Sequence, residues 1–140
     1  MIISTKIRYG LRALIMIAAA PENKGILQKD IAAHEDVSNK YLDHIVIALK
    51  RANIIKNYTS KKSGYILTRD AKDILLIDIY LAFEPCLCLV DCLKEGGSCP
   101  LQNNCLTQPV WRALNKRFYN FMKNVSLQDV IDGKDLDFPA

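Results

Sequence analysis

Apolar residues recur at three- and four-residue steps through Ile7, Leu11, Leu14, Ile15 and Ala18, the signature of one buried helical face. Ser4 or Thr5 supplies an N-cap and Pro21 and Gly25 break the run, so a first helix is predicted from Ser4 to Ala20. A short second segment spans Leu27 to His34. Ser38 then caps a third helix, Asn39 to Ala52. Tyr41, Leu42, Ile45, Leu49 and Ala52 form its apolar stripe, while Asn39, Lys40, Asp43, His44, Lys50 and Arg51 lie largely off it. Two short helices joined by a tight turn, the second amphipathic and basic, make a helix-turn-helix pattern.

Two β-prone runs follow, Ile54 to Tyr58 and Tyr65 to Leu67, around the polar turn Thr59-Ser60-Lys61-Lys62-Ser63-Gly64. A hairpin directly behind a helix-turn-helix is a wing, whose Lys61 and Lys62 can reach a phosphate or a neighbouring groove. Thr68 is read as the cap of a fourth helix, with Asp70 in its first turn and Ile74, Leu75, Leu76, Ile77, Ile79, Tyr80, Leu81 and Phe83 as its apolar content. Pro85 stops it. A cysteine-bearing loop leads to a long helix from about Thr107 to Val125, with Val110, Trp111, Leu114, Phe118, Phe121, Met122 and Val125 along one seam. Such a seam needs cover, and the expected cover is the same helix of a second copy. Ser126 to Ile131 forms a last short turn. The fold class is therefore mainly α with a small β-hairpin. It divides into a winged helix-turn-helix domain with its following helix (1–83), a cysteine-rich loop (84–106), a dimerisation helix with a C-terminal turn (107–132) and a tail (133–140).

With 140 residues, half hydrophobic and 24% charged, the chain suits one compact domain with an appendage, not a disordered or fibrous protein. The longest apolar stretches, such as Ala13 to Ala20, fall short of a membrane span. Five cysteines with no secretory signal ahead of them suggest a reducing cytoplasmic setting. The net charge of +4 is unevenly spread. Residues 1–69 carry twelve Lys and Arg against five acids, and residues 70–140 carry seven against ten. A basic N-terminal half is what a polyanion-binding surface requires. Phosphate loops, triad-spaced histidines and paired carboxylates of an enzyme are not found.

Cys86, Cys88, Cys92, Cys99 and Cys105 lie within twenty residues, with Gly96-Gly97 and Pro100 among them. The spacing of Cys92, Cys99 and Cys105 suits three thiolates around an iron–sulfur centre plus a ligand of another kind. Structural zinc stays open through the Cys88 to Cys92 spacing, and a metal-free thiol switch at Cys86, Cys88 or Cys92 is the other reading.

Four stretches in this order carry a resemblance: Ser4-Thr5-Lys6-Ile7-Arg8-Tyr9-Gly10-Leu11-Arg12-Ala13-Leu14, Ser38-Asn39-Lys40-Tyr41-Leu42, Gly64-Tyr65-Ile66-Leu67, and Cys92 with Cys99-Pro100-Leu101 and Cys105. Over residues 1–132 the chain resembles the IscR/NsrR/CymR family of dimeric winged-helix transcriptional regulators, and the cysteine triad resembles its cluster-binding branch. The resemblance implies a homodimer on double-stranded promoter DNA. A [2Fe-2S] or [4Fe-4S] cluster on Cys92, Cys99 and Cys105 would tune its affinity in response to cluster or iron status, redox poise or nitric oxide. Where IscR-like members place a histidine as fourth ligand this chain has Gln108, and where NsrR-like members place an aspartate it has Arg8. Cys88, Cys86 and Gln108 stand as candidates for that position. Thr59-Ser60 replace the family's Arg-Gly in the wing, which shifts the expected wing contacts to Lys61, Lys62 and Tyr65. On the third helix the expected DNA contacts are Ser38, Asn39, Lys40, Tyr41 and His44, while Arg8 and Arg12 are expected on phosphate or across the dimer.

Overall fold

The computed structural model describes residues 3–136; Met1, Ile2 and the end of the acidic tail, 137–140, lie outside the described residues. Helix α1 spans Thr5–Ala19, with the Ser4 hydroxyl accepting from the Ile7 N–H. Helix α2 is Gln28–Glu35 and α3 is Asn39–Arg51. Asp36, at φ 52°, turns the chain between them in a left-handed conformation that aspartate tolerates better than most residues. The wing is a two-stranded antiparallel hairpin, β1 Ile55–Asn57 and β2 Tyr65–Leu67, with Ile55 opposite Leu67 and Asn57 opposite Tyr65.

The core forms where the apolar faces of these elements meet. Leu14 and Ile17 of α1, Ile31 of α2, Leu42, Ile45 and Leu49 of α3, and Ile54, Ile55 and Ile74 are all buried together. Val46 joins the buried face of α3, whereas the predicted stripe members Tyr41 and Ala52 stay partly exposed at its margins.

The fourth helix departs from expectation. Thr68 caps no helix; its hydroxyl donates to the Asn53 carbonyl at 2.6 Å and fastens the end of the wing to the end of α3. Asp70 precedes a single 3-10 turn, Ala71–Asp73, and helix α4 is confined to Leu76–Phe83. The intervening Ile74 is extended and buried. Its carbonyl accepts from the Leu127 N–H at 2.7 Å, and the Leu76 N–H donates to the Val125 carbonyl at 2.9 Å. A long-range backbone pairing thus occupies the peptide groups that a continuous helix would have used internally.

Helix α5 runs Gln108–Asn124, with Pro109 in its first turn, and α6 is Leu127–Ile131. Ser126 and Asp129 cap α6 reciprocally: the hydroxyl accepts from the Asp129 N–H at 3.1 Å and the carboxylate accepts from the Ser126 N–H at 2.9 Å. A second apolar cluster joins α1, α4 and α5 through Ile7, Ile77, Tyr80, Leu87 and Met122. Among the described residues no helix is long and apolar enough to cross a membrane.

Candidate nucleic-acid interface and cysteine loop

Because Leu42, Ile45, Val46 and Leu49 point into the core, the opposite face of α3 presents Lys40, His44, Ile47 and Arg51 outward. Ser38 holds the start of this helix by accepting from the Tyr41 N–H at 3.1 Å. Gln28 fixes its attitude. The Gln28 amide donates to the Asn39 carbonyl at 3.2 Å and to the Asp43 carboxylate, and its oxygen accepts from the Tyr65 hydroxyl at 2.9 Å. One side chain of α2 therefore ties α3 to the wing. Lys50 makes a second tie: its ammonium donates to Asn57 Oδ1 at 2.6 Å and lies 4.9 Å from the Tyr65 ring centroid. At the hairpin tip the Ser63 hydroxyl accepts from the Thr59 and Ser60 N–H groups, which displays Lys61 and Lys62 to solvent.

Ser38, Asn39, Lys40, His44, Lys61 and Lys62 thus stand exposed at the start and along the outer face of α3 and on the wing. Tyr65 stands elsewhere. Expected at the DNA surface, it is only 8% exposed with its hydroxyl held by Gln28, so it supports the wing from within. Burial and the nearby Asp43 carboxylate push its pKa up. Tyr41 is half-buried, edge-on to Tyr9 at 5.9 Å. Arg12, though exposed like Arg8, is paired within its own chain with the buried Glu35 carboxylate and lies 5.4 Å from the Tyr9 ring centroid. Sequence patterning missed Gln28 and Lys50 as organisers. Their polarity marked them as surface residues, and only the fold shows which neighbours they join.

The cysteine loop lies between α4 and α5. Leu87 anchors it in the second apolar cluster, and the Leu89 N–H donates to Asn115 Oδ1 of α5 at 2.8 Å. Gly97 passes so close to the Asp91 carbonyl that a β-carbon there would collide with it, and Gly96 takes a φ of +75°. All five cysteines are free thiols of intermediate exposure. Burial, followed by a hydrogen bond shared with Cys86, pushes the Cys88 thiol up to about 11 against the opposing pull of Lys94. Cys105 behaves oppositely. The Thr107 hydroxyl, with Sγ to Oγ1 at 3.3 Å, and the N–H groups of Thr107 and Gln108 hold its pKa below the usual thiol range. Cys92 opens onto a cavity of about 390 Å³ shared with Gln108, Arg112, Asn115 and Tyr119.

Three partly exposed thiols on a glycine-containing loop, one of them with its pKa lowered, are the donor types an iron–sulfur centre uses. Among the described residues, however, no three Cys, His, Asp or Glu side chains converge into a metal-holding group. A centre held jointly by Cys92, Cys99 and Cys105 would require the loop to rearrange from this conformation.

The predicted seam of α5 divides. Val110 (59% exposed), Leu114 (49%) and Trp111 face outward, while Met122 is buried and Phe118 and Phe121 pack half-buried on the second cluster. Tyr80 and Phe118 meet edge to face at 6.4 Å. Phe118, Phe121 and Met122, expected at a dimer interface, thus cover their own chain because α5 docks on α4.

Residues 3–133 match the Rrf2 family, described as iron-dependent transcriptional regulators. The chain is 32% identical to protein rrf2 of Nitratidesulfovibrio vulgaris over 129 residues, covering 92% of this chain and 86% of that one. It is 25% identical to the transcriptional regulator IscR of Klebsiella pneumoniae over 134 residues, covering 96% and 82%. Among solved structures, CymR, the global cysteine regulator of B. subtilis, superposes with a TM-score of 0.76 at 25% identity over 96% of this chain and 99% of that chain. IscR of T. potens, at 23% identity, shares the fold with a TM-score of 0.72 over 100% of this chain and 93% of that one. The helix-turn-helix, the wing behind it and these matches agree: the chain belongs to the Rrf2 family of winged-helix transcriptional regulators, and it is a DNA-binding protein rather than an enzyme.

Proposed function

We propose that the protein is a homodimeric promoter-binding regulator whose DNA affinity follows the state of an iron–sulfur cluster on Cys92, Cys99 and Cys105. One observation carries this reading. The three thiols sit on the loop that connects α4, packed on the recognition domain, to α5, whose outer face carries Val110, Trp111 and Leu114 for a second copy. Holding or losing a ligand on that loop changes how the two helices meet, and a ligand regulates only through its different affinity for the two arrangements. When bound, the cluster would supply one-electron redox chemistry and iron-centred reactivity toward nitric oxide, in addition to the thiol chemistry of the loop. Cys88, Cys86 and Gln108 are the candidates for a fourth ligand; of these Gln108 shares a cavity with Cys92. Ser38, Asn39, Lys40 and His44 contact the major groove, and Lys61 and Lys62 contact the flanking backbone.

Anaerobically purified and reconstituted protein is expected to be brown, with visible absorption that disappears on replacing Cys92, Cys99 or Cys105 by Ala. Electron paramagnetic resonance then distinguishes [2Fe-2S] from [4Fe-4S]. Colourless protein that takes up no iron overturns this reading. The second reading, a metal-free thiol switch, draws on the hydrogen bond that Cys86 and Cys88 share and on the likeness to Staphylococcus aureus CymR, solved in an oxidised form at 26% identity. It predicts iron-free protein whose DNA affinity changes on oxidation by a small-molecule disulfide and returns with dithiothreitol.

A further inference from the structure

Helix α3 shows one outward residue of the wrong polarity for a solvated surface. Ile47 is 48% exposed. It lies seven residues after Lys40, three after His44 and four before Arg51, all of which share its outward face. Directly behind it, Leu42, Ile45, Val46 and Leu49 fill the core, so Ile47 cannot turn inward without unseating the helix. Among the described residues the other exposed large apolar side chains lie on the wing and from α4 onward. Ile47 stands alone in α1 to α3. A β-branched side chain in a water-facing helical position gains nothing from helix propensity. It gains only if something covers it.

The cations around it name the cover. Lys40 and Arg51 flank Ile47 along the helix, the Asp43 carboxylate one turn before it is engaged by the Gln28 amide, and Lys61 and Lys62 are exposed on the wing, so this helix face suits a polyanion. On duplex DNA the major-groove floor offers one apolar feature at the depth a recognition helix reaches, the 5-methyl group of thymine. We propose that Ile47 reads a thymine methyl group in the major groove and sets sequence preference at that base pair. This rests on the DNA-binding reading of α3. It assigns specificity beyond the polar contacts of Asn39, Lys40 and His44, because an apolar side chain discriminates thymine from cytosine without any hydrogen bond.

The test selects tight-binding duplexes from a random pool with the full-length protein, then replaces each selected thymine singly by deoxyuridine, which removes only the methyl group. One position per half-site is expected to lose affinity about fourfold, the ~0.8 kcal/mol of one buried carbon group. The Ile47→Ala variant, whose fold is checked by circular dichroism, is expected to bind thymine and uracil duplexes equally at that position while keeping the wild-type salt dependence. If no deoxyuridine replacement weakens the wild-type protein, or if Ile47→Ala retains the same sensitivity, the assignment to Ile47 is overturned while DNA binding stands. A wild-type protein that selects no duplex overturns both.

Discussion

The wing is held by one close approach that a single methyl group destroys. A β-carbon at Gly64 would lie 2.6 Å from the Gly25 carbonyl carbon and 2.7 Å from both the Ile26 nitrogen and the Lys24 oxygen, all of them backbone atoms. Ordinary contact begins near 3.4 Å, so Gly64→Ala must push the 24–26 segment and the wing apart by about 0.8 Å. Two hydrogen bonds span this gap: the Ile26 N–H to the Tyr65 carbonyl at 3.1 Å and the Tyr65 N–H to the Ile26 carbonyl at 2.8 Å. Stretched by that amount both pass the limit of useful geometry. Two lost bonds at ~1 kcal/mol each, with their groups left poorly satisfied, put the cost at about 2–4 kcal/mol. At roughly 4 °C per kcal/mol the melting temperature falls by about 8–16 °C. Gly96→Ala is the control, since its φ of +75° strains the backbone but nothing lies within 4 Å of the added carbon. It should cost only about 1–2 kcal/mol. Urea unfolding of both variants, with DNA affinity measured in parallel, decides the matter. A Gly64→Ala variant no less stable than Gly96→Ala refutes the close-packing argument.

Three further outcomes follow from the same geometry. Lys40→Ala is expected to weaken DNA binding and to flatten the dependence of log affinity on log salt, read from titrations across about 50–200 mM salt; an unchanged slope removes Lys40 from the DNA interface. Leu114→Glu, placed on the outward face of α5 away from the core, is expected to leave the circular dichroism spectrum of the folded chain unchanged while shifting sedimentation toward the monomer; unaltered sedimentation of a dimeric wild type refutes the interface. The Ser126 N–H, Lys134 and the Ser126 hydroxyl, in that order, hold the Asp129 carboxyl down to about 2. This depressed carboxylate stabilises the α6 cap above the ordinary aspartate value near 3.8, and that contribution is lost as pH falls toward 2. Carboxyl chemical shifts of the folded protein should show Asp129 titrating well below its neighbours, and a midpoint at the ordinary value refutes the cap.

The sequence by itself determined the features that depend on near neighbours. The helical spacing from Ile7 to Ala18, a cap at Ser4 or Thr5, the cap at Ser38, the hairpin after Asn53, the short turn opened by Ser126 and the cysteine run were all legible, because three or four adjacent residues suffice to specify a helical face, a cap or a turn. The tertiary structure decided what depends on residues far apart. Thr68 resembles a helix cap in isolation, yet its hydroxyl serves Asn53, and residues 74–76 give up helical bonding to pair with residues 125–127 some fifty positions later. Tyr65 and Arg12 carry polar groups suited to a surface, and the fold spends them on Gln28 and Glu35. The apolar seam of α5 was visible as a seam, but only docking on α4 separates Phe118, Phe121 and Met122, which cover their own chain, from Val110, Trp111 and Leu114, which stay exposed. Local spacing decides that a side chain is apolar and which way its helix presents it. What covers it depends on long-range packing, which periodicity along the chain does not encode.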